Sequence, residues 1–159
     1  MKIIVFADSH TDIKTMDTVV NKEKPNRIIH LGDHVTDGVM LQEMYKDIPI
    51  EMVAGNTDIT DEYPFEKTLE LCDIHIFITH GDKYNVHLGF SRIFYKGESV
   101  NADIILFGHT HKAYLENQNG IVLMNPGRIG RVSRNFIEAS YGVIIIDNGE
   151  FSCKIQKLI

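Results

Sequence analysis

The feature that most constrains this chain is a short apolar run that ends in a glycine and two histidines. Residues 104–107 are Ile-Ile-Leu-Phe, and Gly108, His109, Thr110 and His111 follow directly. The run predicts a buried β-strand, so the histidines belong to the loop at its carboxyl end. If that loop is extended, side-chain alternation points His109 and His111 to the same side. Two neutral imidazoles that converge on one point are typical ligands of a divalent metal ion.

Length, charge and cysteine content set the outer limits on the protein. A chain of 159 residues is expected to form one domain, residues 1–159, with a core that needs no disulfides. Its 16 Lys and Arg against 22 Asp and Glu give a net charge of -6, which argues against duplex nucleic acid as a partner. Cys72 and Cys153 form no CxxC pattern. With an acid already at Asp8 and no apolar run that could span a bilayer, we expect a cytoplasmic protein without membrane contact.

The first half of the chain alternates between apolar runs and helical patterns. The predicted strands cover Lys2–Ala7, Arg27–Leu31 and Ile50–Ala54. Apolar residues at helical spacing predict a helix over about Ile13–Lys24, capped by Thr11 or Asp12, and a second over about Val39–Lys46. This alternation predicts βαβ units and a largely parallel sheet, and therefore an α/β fold.

The second half of the chain favours antiparallel pairs. The predicted pairs are Lys67–Leu71 with Ile74–Thr79, Ala113–Glu116 with Ile121–Met124, and Tyr141–Ile146 with Phe151–Lys157. Between them, Val86–Val100 carries apolar residues at mixed helical spacing. The last pair could leave an exposed strand edge, which keeps a homodimer open as an expectation.

Side chains that bind metals recur at five predicted strand ends. They are Asp8 with His10, Asp33, Asn56, His80, and His109 with His111. A single Asp or His at a strand end is usually a turn former, so the recurrence is the informative observation. Ligands of α/β sheets bind beyond the carboxyl ends of the strands, where all these side chains can share one site. Nitrogen and oxygen donors without thiolate suit Mn²⁺, Fe²⁺, Ni²⁺ or Zn²⁺, and Asp33 is the candidate bridge between two ions.

The order of these motifs resembles a known family. The chain carries, in sequence, Asp8-x-His10, Gly32-Asp33, Gly55-Asn56, His80-Gly81 and Gly108-His109-Thr110-His111. This series resembles the calcineurin-like metallophosphoesterases, and the short length and the Gly-Asn-x-Asp form at Gly55–Asp58 are most similar to their small bacterial and archaeal phosphodiesterases. The resemblance implies a four-layer α/β/β/α sandwich. It also implies metal-dependent hydrolysis of a small phosphodiester, such as a nucleotide.

The resemblance further implies a role for each ligand. One ion would be held by Asp8, His10 and His111, the other by Asn56, His80 and His109, with Asp33 between them. Two divalent ions are thus the implied cofactors, with Mn²⁺ expected and Ni²⁺, Zn²⁺ or Fe²⁺ as alternatives. A metal-activated hydroxide would attack phosphorus in line while both ions neutralise the developing charge.

The chain departs from the family at two places. Many members have a histidine after the Gly-Asn pair that helps protonate the leaving group, whereas this chain has Thr57. Asp58 or His10 could supply the acid instead, so the expected catalytic residues are His10, Asp33, Asn56 and Asp58. Arg128 follows Asn-Pro-Gly, with Arg131 and Arg134 at three-residue spacing. The simpler interpretation is a solvated basic loop; the functional alternative is that Arg128 or Arg131 binds a substrate phosphate.

Two other functions stay open from the sequence. A phosphomonoesterase could use the same metal pair. A non-catalytic protein-binding scaffold is the second alternative, because the resemblance extends to the retromer subunit of this fold. That subunit lacks some of the histidines, whereas all seven ligand positions are filled here.

Overall fold

Two five-stranded sheets form the framework of the computed structural model, which describes residues 1–130 and 138–158. The first sheet contains β1 (Lys2–Phe6), β2 (Arg27–His30), β3 (Ile50–Met52), β9 (Ser140–Asp147) and β10 (Glu150–Lys157), in the order β10-β9-β1-β2-β3. The second contains β4 (Glu66–Leu71), β5 (Ile74–Thr79), β6 (Ile104–Leu106), β7 (Tyr114–Gln118) and β8 (Ile121–Asn125), in the order β4-β5-β6-β8-β7.

Three α-helices accompany the sheets: α1 (Ile13–Glu23), α2 (Val35–Met44) and α3 (Ser91–Ser99). Asp12 caps α1 as predicted, because its carboxylate accepts the Thr15 N–H at 3.2 Å. In the part of the chain that is described, none of these helices is long and apolar enough to cross a membrane.

Three apolar clusters define the layers. Alternate residues of β1 face opposite sides of the sheet: Ile3 and Val5 pack in the cluster shared with the second sheet, and Ile4 and Phe6 pack in the cluster with α1 and α2. The third cluster joins α3 to the outer face of the second sheet, with Ile105 among its buried residues. The layers therefore run α/β/β/α, which confirms the predicted four-layer sandwich.

Strand pairing follows the predictions in part: β9 pairs antiparallel with β1, so the first sheet is mixed rather than largely parallel. β1, β2 and β3 are mutually parallel, and the three predicted antiparallel pairs form. The β7–β8 hairpin is longer than predicted, because Asn119 and Gly120 alone make the turn, with φ of 53° and 89°. β10 is an edge strand of its sheet, as expected.

The predicted start of the second helix was wrong. Helix α2 begins at Val35, four residues before the expected start at Val39, and ends at Met44 instead of Lys46. Its first turn is stabilised from a distant segment: one carboxylate oxygen of Asp58 accepts the backbone N–H groups of His34 and Val35 at 2.9 and 2.8 Å. A cap that lies 24 residues away leaves no local signal in the sequence.

The carboxyl ends of the central strands approach one another closely. A Cβ atom on Gly32, whose φ is +90°, would lie 2.5 Å from the Gly55 nitrogen. A Cβ on Gly108 would lie 2.9 Å from the Ala7 Cβ, so the two sheets also meet here. Glycine is required at these positions because the backbones pass at contact distance. This junction brings together the loops that follow β1, β2, β3, β5 and β6.

Candidate metal centre

Four side chains from three strand ends converge at this junction. Each of Asp8, His10, Asp33 and His111 offers a donor atom, and these four atoms all lie within 4.8 Å of one another. His111 Nε2 lies 3.4 Å from Asp8 Oδ1 and 3.4 Å from His10 Nε2. Both carboxylates are buried and both imidazoles are partly buried. We call these four residues the first cluster.

The first cluster fits a divalent cation. Both carboxylate oxygens of Asp8 are buried and neither makes a hydrogen bond with a described residue. An ionised carboxylate buried in this way is costly unless a cation lies beside it. Two carboxylates and two imidazoles are suitable donors for Mn²⁺, Fe²⁺, Ni²⁺ or Zn²⁺.

Two further histidines meet Asp33 on its other side. His80 Nε2 lies 3.3 Å from Asp33 Oδ1 and 3.2 Å from His109 Nδ1. His80 Nδ1 lies 2.8 Å from the Leu31 carbonyl oxygen, so Nδ1 carries the proton and Nε2 presents its lone pair to the cluster. His80, His109 and Asp33 form the second cluster. Asp33 therefore belongs to both clusters.

Asn56 lies in the loop that borders the second cluster. A Cβ on the preceding Gly55 would lie 2.4 Å from Asp33 Oδ1 and 3.0 Å from the His80 ring, so this backbone packs directly on the ligands. Asn56 itself is exposed. Its role as a ligand therefore stays a prediction.

The predicted geometry of the His109–His111 loop was wrong. An extended loop would point both imidazoles at one ion, but His109 and His111 have φ of 68° and 59°, in the left-handed region. The loop therefore turns, and His109 faces His80 while His111 faces Asp8. Asp8, His10 and Asp33 also have positive φ, between 45° and 55°. Such backbone conformations cost energy and persist where the surrounding structure enforces them, as at functional sites.

Electrostatics prepare most of the ligands for metal binding at neutral pH. Burial lowers the pKa of His10 and His109, which keeps these imidazoles neutral. The neighbouring Asp8 carboxylate raises the pKa of His111. Burial alone would raise the pKa of Asp33, but His80 and hydrogen bonds from Thr57 lower it overall, so the carboxyl group is ionised.

A buried hydrogen-bond network holds the residues on either side of His10 in the first cluster. Ser9 Oγ donates to Asp37 Oδ2 at 2.7 Å and lies 3.1 Å from His30 Nε2, and the Thr11 N–H donates to the same Asp37 oxygen at 2.8 Å. Because the Gly32 N–H donates to His30 Nδ1, the ring proton is on Nε2 and points to Ser9. These bonds hold both neighbours of His10. Sequence reasoning missed this network, although a histidine inside the apolar run of β2 was a usable signal.

Thr57 and Asp58 have positioning contacts. The Thr57 hydroxyl and N–H donate to Asp33 Oδ1 at 2.9 and 3.2 Å, which orients the shared carboxylate. Asp58 accepts the two N–H groups at the start of α2 with one oxygen and the Gly55 N–H, at 2.8 Å, with the other. Both carboxylate oxygens of Asp58 are thus engaged with backbone N–H groups, which is a positioning contact; the acid role suggested for Asp58 by the sequence stays a prediction.

Of the three arginines that follow Asn-Pro-Gly, Arg128 lies among the described residues. Arg128 is buried rather than part of a solvated loop; its Nε donates to the Gly130 carbonyl at 2.8 Å. Its Nη2 is buried and has no hydrogen-bond partner among the described residues. The Gly130 N–H donates to the Asp8 carbonyl at 3.3 Å, so this turn lies against the first cluster. Arg131 and Arg134 fall outside the described residues.

Two other histidines pack against the ligands. The ring centroid of His34 lies 5.2 Å from that of His10, and the centroid of His87 lies 4.6 Å from that of His109. His34 directly follows Asp33 in the sequence, which places it beside the candidate ligands. The placement of His87 was missed, because it depends on the packing of a segment distant in sequence.

A two-sheet α/β sandwich with histidine and aspartate ligands at the strand ends defines the class of metal-dependent phosphoesterases. The model of the calcineurin-like phosphoesterase superfamily domain matches residues 1–149 of this chain. The chain therefore belongs to the calcineurin-like phosphoesterase superfamily, a family of hydrolases that bind divalent metals.

Relatives of known sequence agree with this assignment. The probable metallophosphoesterase YsnB of Bacillus subtilis is 28% identical over 153 residues, which cover 93% of this chain and 86% of that protein. A phosphodiesterase of Methanocaldococcus jannaschii is 26% identical over 145 residues, covering 80% of this chain and 83% of that protein.

Solved structures show the same architecture. A conserved uncharacterized protein of Streptococcus pneumoniae, a predicted phosphoesterase, superimposes with a TM-score of 0.79 at 26% identity, covering 98% of this chain and 88% of that one. Vps29 of Entamoeba histolytica, solved in complex with Zn²⁺, superimposes with a TM-score of 0.74 at 16% identity over 99% of both chains. The second likeness concerns the fold alone.

The His30 network predicts a pH-dependent stability. Burial lowers the pKa of His30 from 6.5 to about 4, so the unfolded chain takes up a proton in this range and the folded protein does not. Stability is therefore lost as the pH falls from about 6.5 to about 4, by about 3 kcal/mol from this residue alone. A His30→Gln variant keeps an amide donor for Ser9 but does not titrate, and urea unfolding should show a smaller loss by that amount. His75→Gln is the control, and identical pH dependence in wild type and His30→Gln would contradict the prediction.

Proposed function

We propose that this protein is a metal-dependent phosphodiesterase that hydrolyses a small soluble phosphodiester with two adjacent divalent ions. The observation that carries the proposal is the position of Asp33, whose carboxylate belongs to both clusters. A carboxylate shared by two sets of imidazoles is the arrangement that a two-metal hydrolase requires.

The two clusters suggest the ligand sets. Asp8, His10 and His111 would hold one ion, and His80 and His109, with Asn56 from the adjoining loop, would hold the other. Asp33 would be shared by both ions. Mn²⁺ is the proposed metal. When bound, such a pair lowers the pKa of a coordinated water to supply a nucleophile and neutralises charge on the phosphoryl oxygens.

Residues around the ligands position them and bind substrate. Thr57 fixes the orientation of the shared Asp33 carboxylate, and the Leu31 carbonyl fixes the tautomer of His80. Arg128 Nη2 has no hydrogen-bond partner among the described residues, and the proposed acceptor for this strong donor is a nonbridging oxygen of the substrate phosphate. A cation at this place complements the negative charge of a diester.

We assign no described residue as the acid that protonates the leaving group. Both carboxylate oxygens of Asp58 accept backbone N–H groups, and His10 is assigned to the metal, so we assign neither residue as the acid. Thr57 occupies the position of the histidine that many family members use, and its hydroxyl already donates to Asp33. The proposed substrate is therefore a diester whose leaving group departs without protonation.

The name of the Methanocaldococcus relative supports a diester over a monoester as substrate. Hydrolysis of a monoester by the same residues is the alternative within the enzyme class. A protein-binding scaffold is the alternative outside it. The filled ligand positions and the buried, unpartnered Asp8 carboxylate support the enzyme.

Metal loading and turnover test the proposal together. Metal-stripped protein should be inactive, and Mn²⁺ should restore hydrolysis of bis(4-nitrophenyl) phosphate in preference to 4-nitrophenyl phosphate. Asp33→Asn should lower kcat/KM about 100-fold or more, because it removes the shared ligand charge. Equilibrium dialysis with elemental analysis should give two ions per wild-type chain.

Matched variants distinguish the two clusters. His111→Ala and His109→Ala should each retain one ion, whereas His75→Ala, at a partly exposed position outside both clusters, should retain two. One ion in the wild-type protein would refute the two-metal centre. Two bound ions without turnover of either ester would refute the enzyme and favour the scaffold.

The absence of a leaving-group acid predicts a steep dependence on the leaving group. Methyl phenyl phosphate should react about 100-fold or more slowly than methyl 4-nitrophenyl phosphate, since a general acid contributes about that much. Thr57→His should narrow this gap by supplying the acid, and Thr57→Asn is the matched control because it also lacks the hydroxyl that binds Asp33. Equal rates for the two diesters in the wild-type protein would show that another residue donates the proton.

Arg128 is tested by a variant that keeps the charge. Arg128→Lys retains a cation but loses the planar fork, so KM for the diester should rise about tenfold with a smaller change in kcat. Arg92→Lys, on the exposed face of α3, is the control. Thermal unfolding should be measured in parallel, because Arg128 also binds the Gly130 carbonyl. An unchanged KM in folded protein would exclude phosphate binding by this residue.

A further inference from the structure

A groove with a volume of about 680 Å³ lies between helix α2 and the segment 57–63. We call it the α2 groove. Its walls include the apolar side chains of Val39, Met40, Ile59 and Tyr63. This volume lies within the range of binding sites for small organic ligands.

The α2 groove adjoins the candidate metal centre. Two of its lining residues, His34 and Thr57, each directly follow a proposed ligand in sequence. His34 packs against His10 with ring centroids 5.2 Å apart, and Thr57 donates to Asp33. The groove therefore lies beside the place where the substrate phosphate would bind.

The lining favours an uncharged organic group with a polar edge. Met40 is 50% exposed and Ile59 is fully exposed, and apolar side chains gain free energy when a ligand covers them. The described lining residues include two acidic side chains, Asp58 and Glu62, and one histidine, His34. They include no Lys or Arg. The groove thus offers no cation for a second phosphate. Glu62 and the hydroxyl groups of Thr36 and Thr60 provide hydrogen-bonding partners.

Contacts at the base of the groove fix its shape. Asp58 ties the segment after β3 to the start of α2 through its three backbone hydrogen bonds. At the other end of the segment, the Ala54 N–H donates to the Pro64 carbonyl at 2.9 Å. The walls are therefore anchored at both ends, and a ligand need not order them on binding.

We propose that the α2 groove binds the nucleoside group of a nucleotide diester, so that the substrate of this enzyme carries a nucleobase. A base has apolar faces for Met40, Ile59 and Tyr63 and a polar edge for Glu62 and the threonine hydroxyl groups. Its phosphate stays at the metal centre. This inference rests on the proposed phosphodiesterase function and adds the substrate class.

Two diesters with the same leaving group test the inference. Thymidine 5′-(4-nitrophenyl) phosphate and methyl 4-nitrophenyl phosphate differ only in the group that would occupy the groove. The Mn²⁺-loaded protein should show kcat/KM about tenfold or more higher for the thymidine ester, mainly through KM. In a Met40→Ser/Ile59→Ser double variant, the ratio of kcat/KM for the thymidine ester to that for the methyl ester should fall about tenfold. Leu88→Ser, at an apolar position that is 89% exposed and outside the groove, should keep it.

A binding measurement separates this inference from the proposed function. With Mg²⁺ present, thymidine 5′-monophosphate should shift the methyl NMR signals of Met40 and Ile59 and leave those of Leu88 unchanged. Equal kcat/KM for both esters, or a preference that survives in the double variant, would overturn the groove assignment while phosphodiesterase activity stands. If neither ester is hydrolysed, the proposed function fails, and unshifted Met40 and Ile59 methyl signals would then overturn the groove as well.

Discussion

The burial of two carboxylates at the meeting point of the strand ends is the constraint on which the rest of this structure depends. Asp8 and Asp33 are almost completely buried, and the oxygens of Asp8 have no hydrogen-bond partner among the described residues. Desolvated anions of this kind destabilise a fold unless cations neutralise them. The strand ends, the close glycine contacts and the surrounding histidines all serve to hold that pair where divalent ions can bind.

Most of the structural support lies one contact away from the ligands. Ser9, His30 and Asp37 hold the turn that carries His10, and Thr57 holds the carboxylate of Asp33. These contacts offset the cost of positive φ at the ligand residues, because they determine the loop conformations from several directions. The first cluster is therefore organised in the polypeptide itself, which favours metal binding without large rearrangement.

Asp58 connects the metal centre to the proposed substrate groove. The same carboxylate starts helix α2 and fixes the loop of Asn56, so one residue sets both a ligand position and a groove wall. Family membership gives the hydrolase class, and the likeness to Vps29 shows that this sandwich is also found in another protein. What favours an enzyme here is the site: a shared carboxylate, several clustered histidines and an adjoining groove of ligand size.

A structural feature could be predicted from the sequence where residues close together in the chain determine it. Alternating apolar runs predicted the strands and both later hairpin turns, because side-chain periodicity and Asn-Gly turns are properties of short segments. The start of α2 could not be predicted, since its cap is Asp58 from another loop. The extended geometry expected for His109 and His111 was wrong, because both residues adopt left-handed backbone conformations.

The sequence by itself determined the α/β class and the metal-type side chains at the strand ends, because these follow from spacing and residue chemistry along the chain. The resemblance of its motif series added the family, the layered fold and the expected sharing of Asp33. The tertiary structure alone decided the contacts: it turned the loop so that His109 faces His80 and His111 faces Asp8, buried Arg128, and directed Asp58 to the backbone. The physical reason is that desolvation and hydrogen-bond geometry depend on distances between segments far apart in the chain, which no local pattern records.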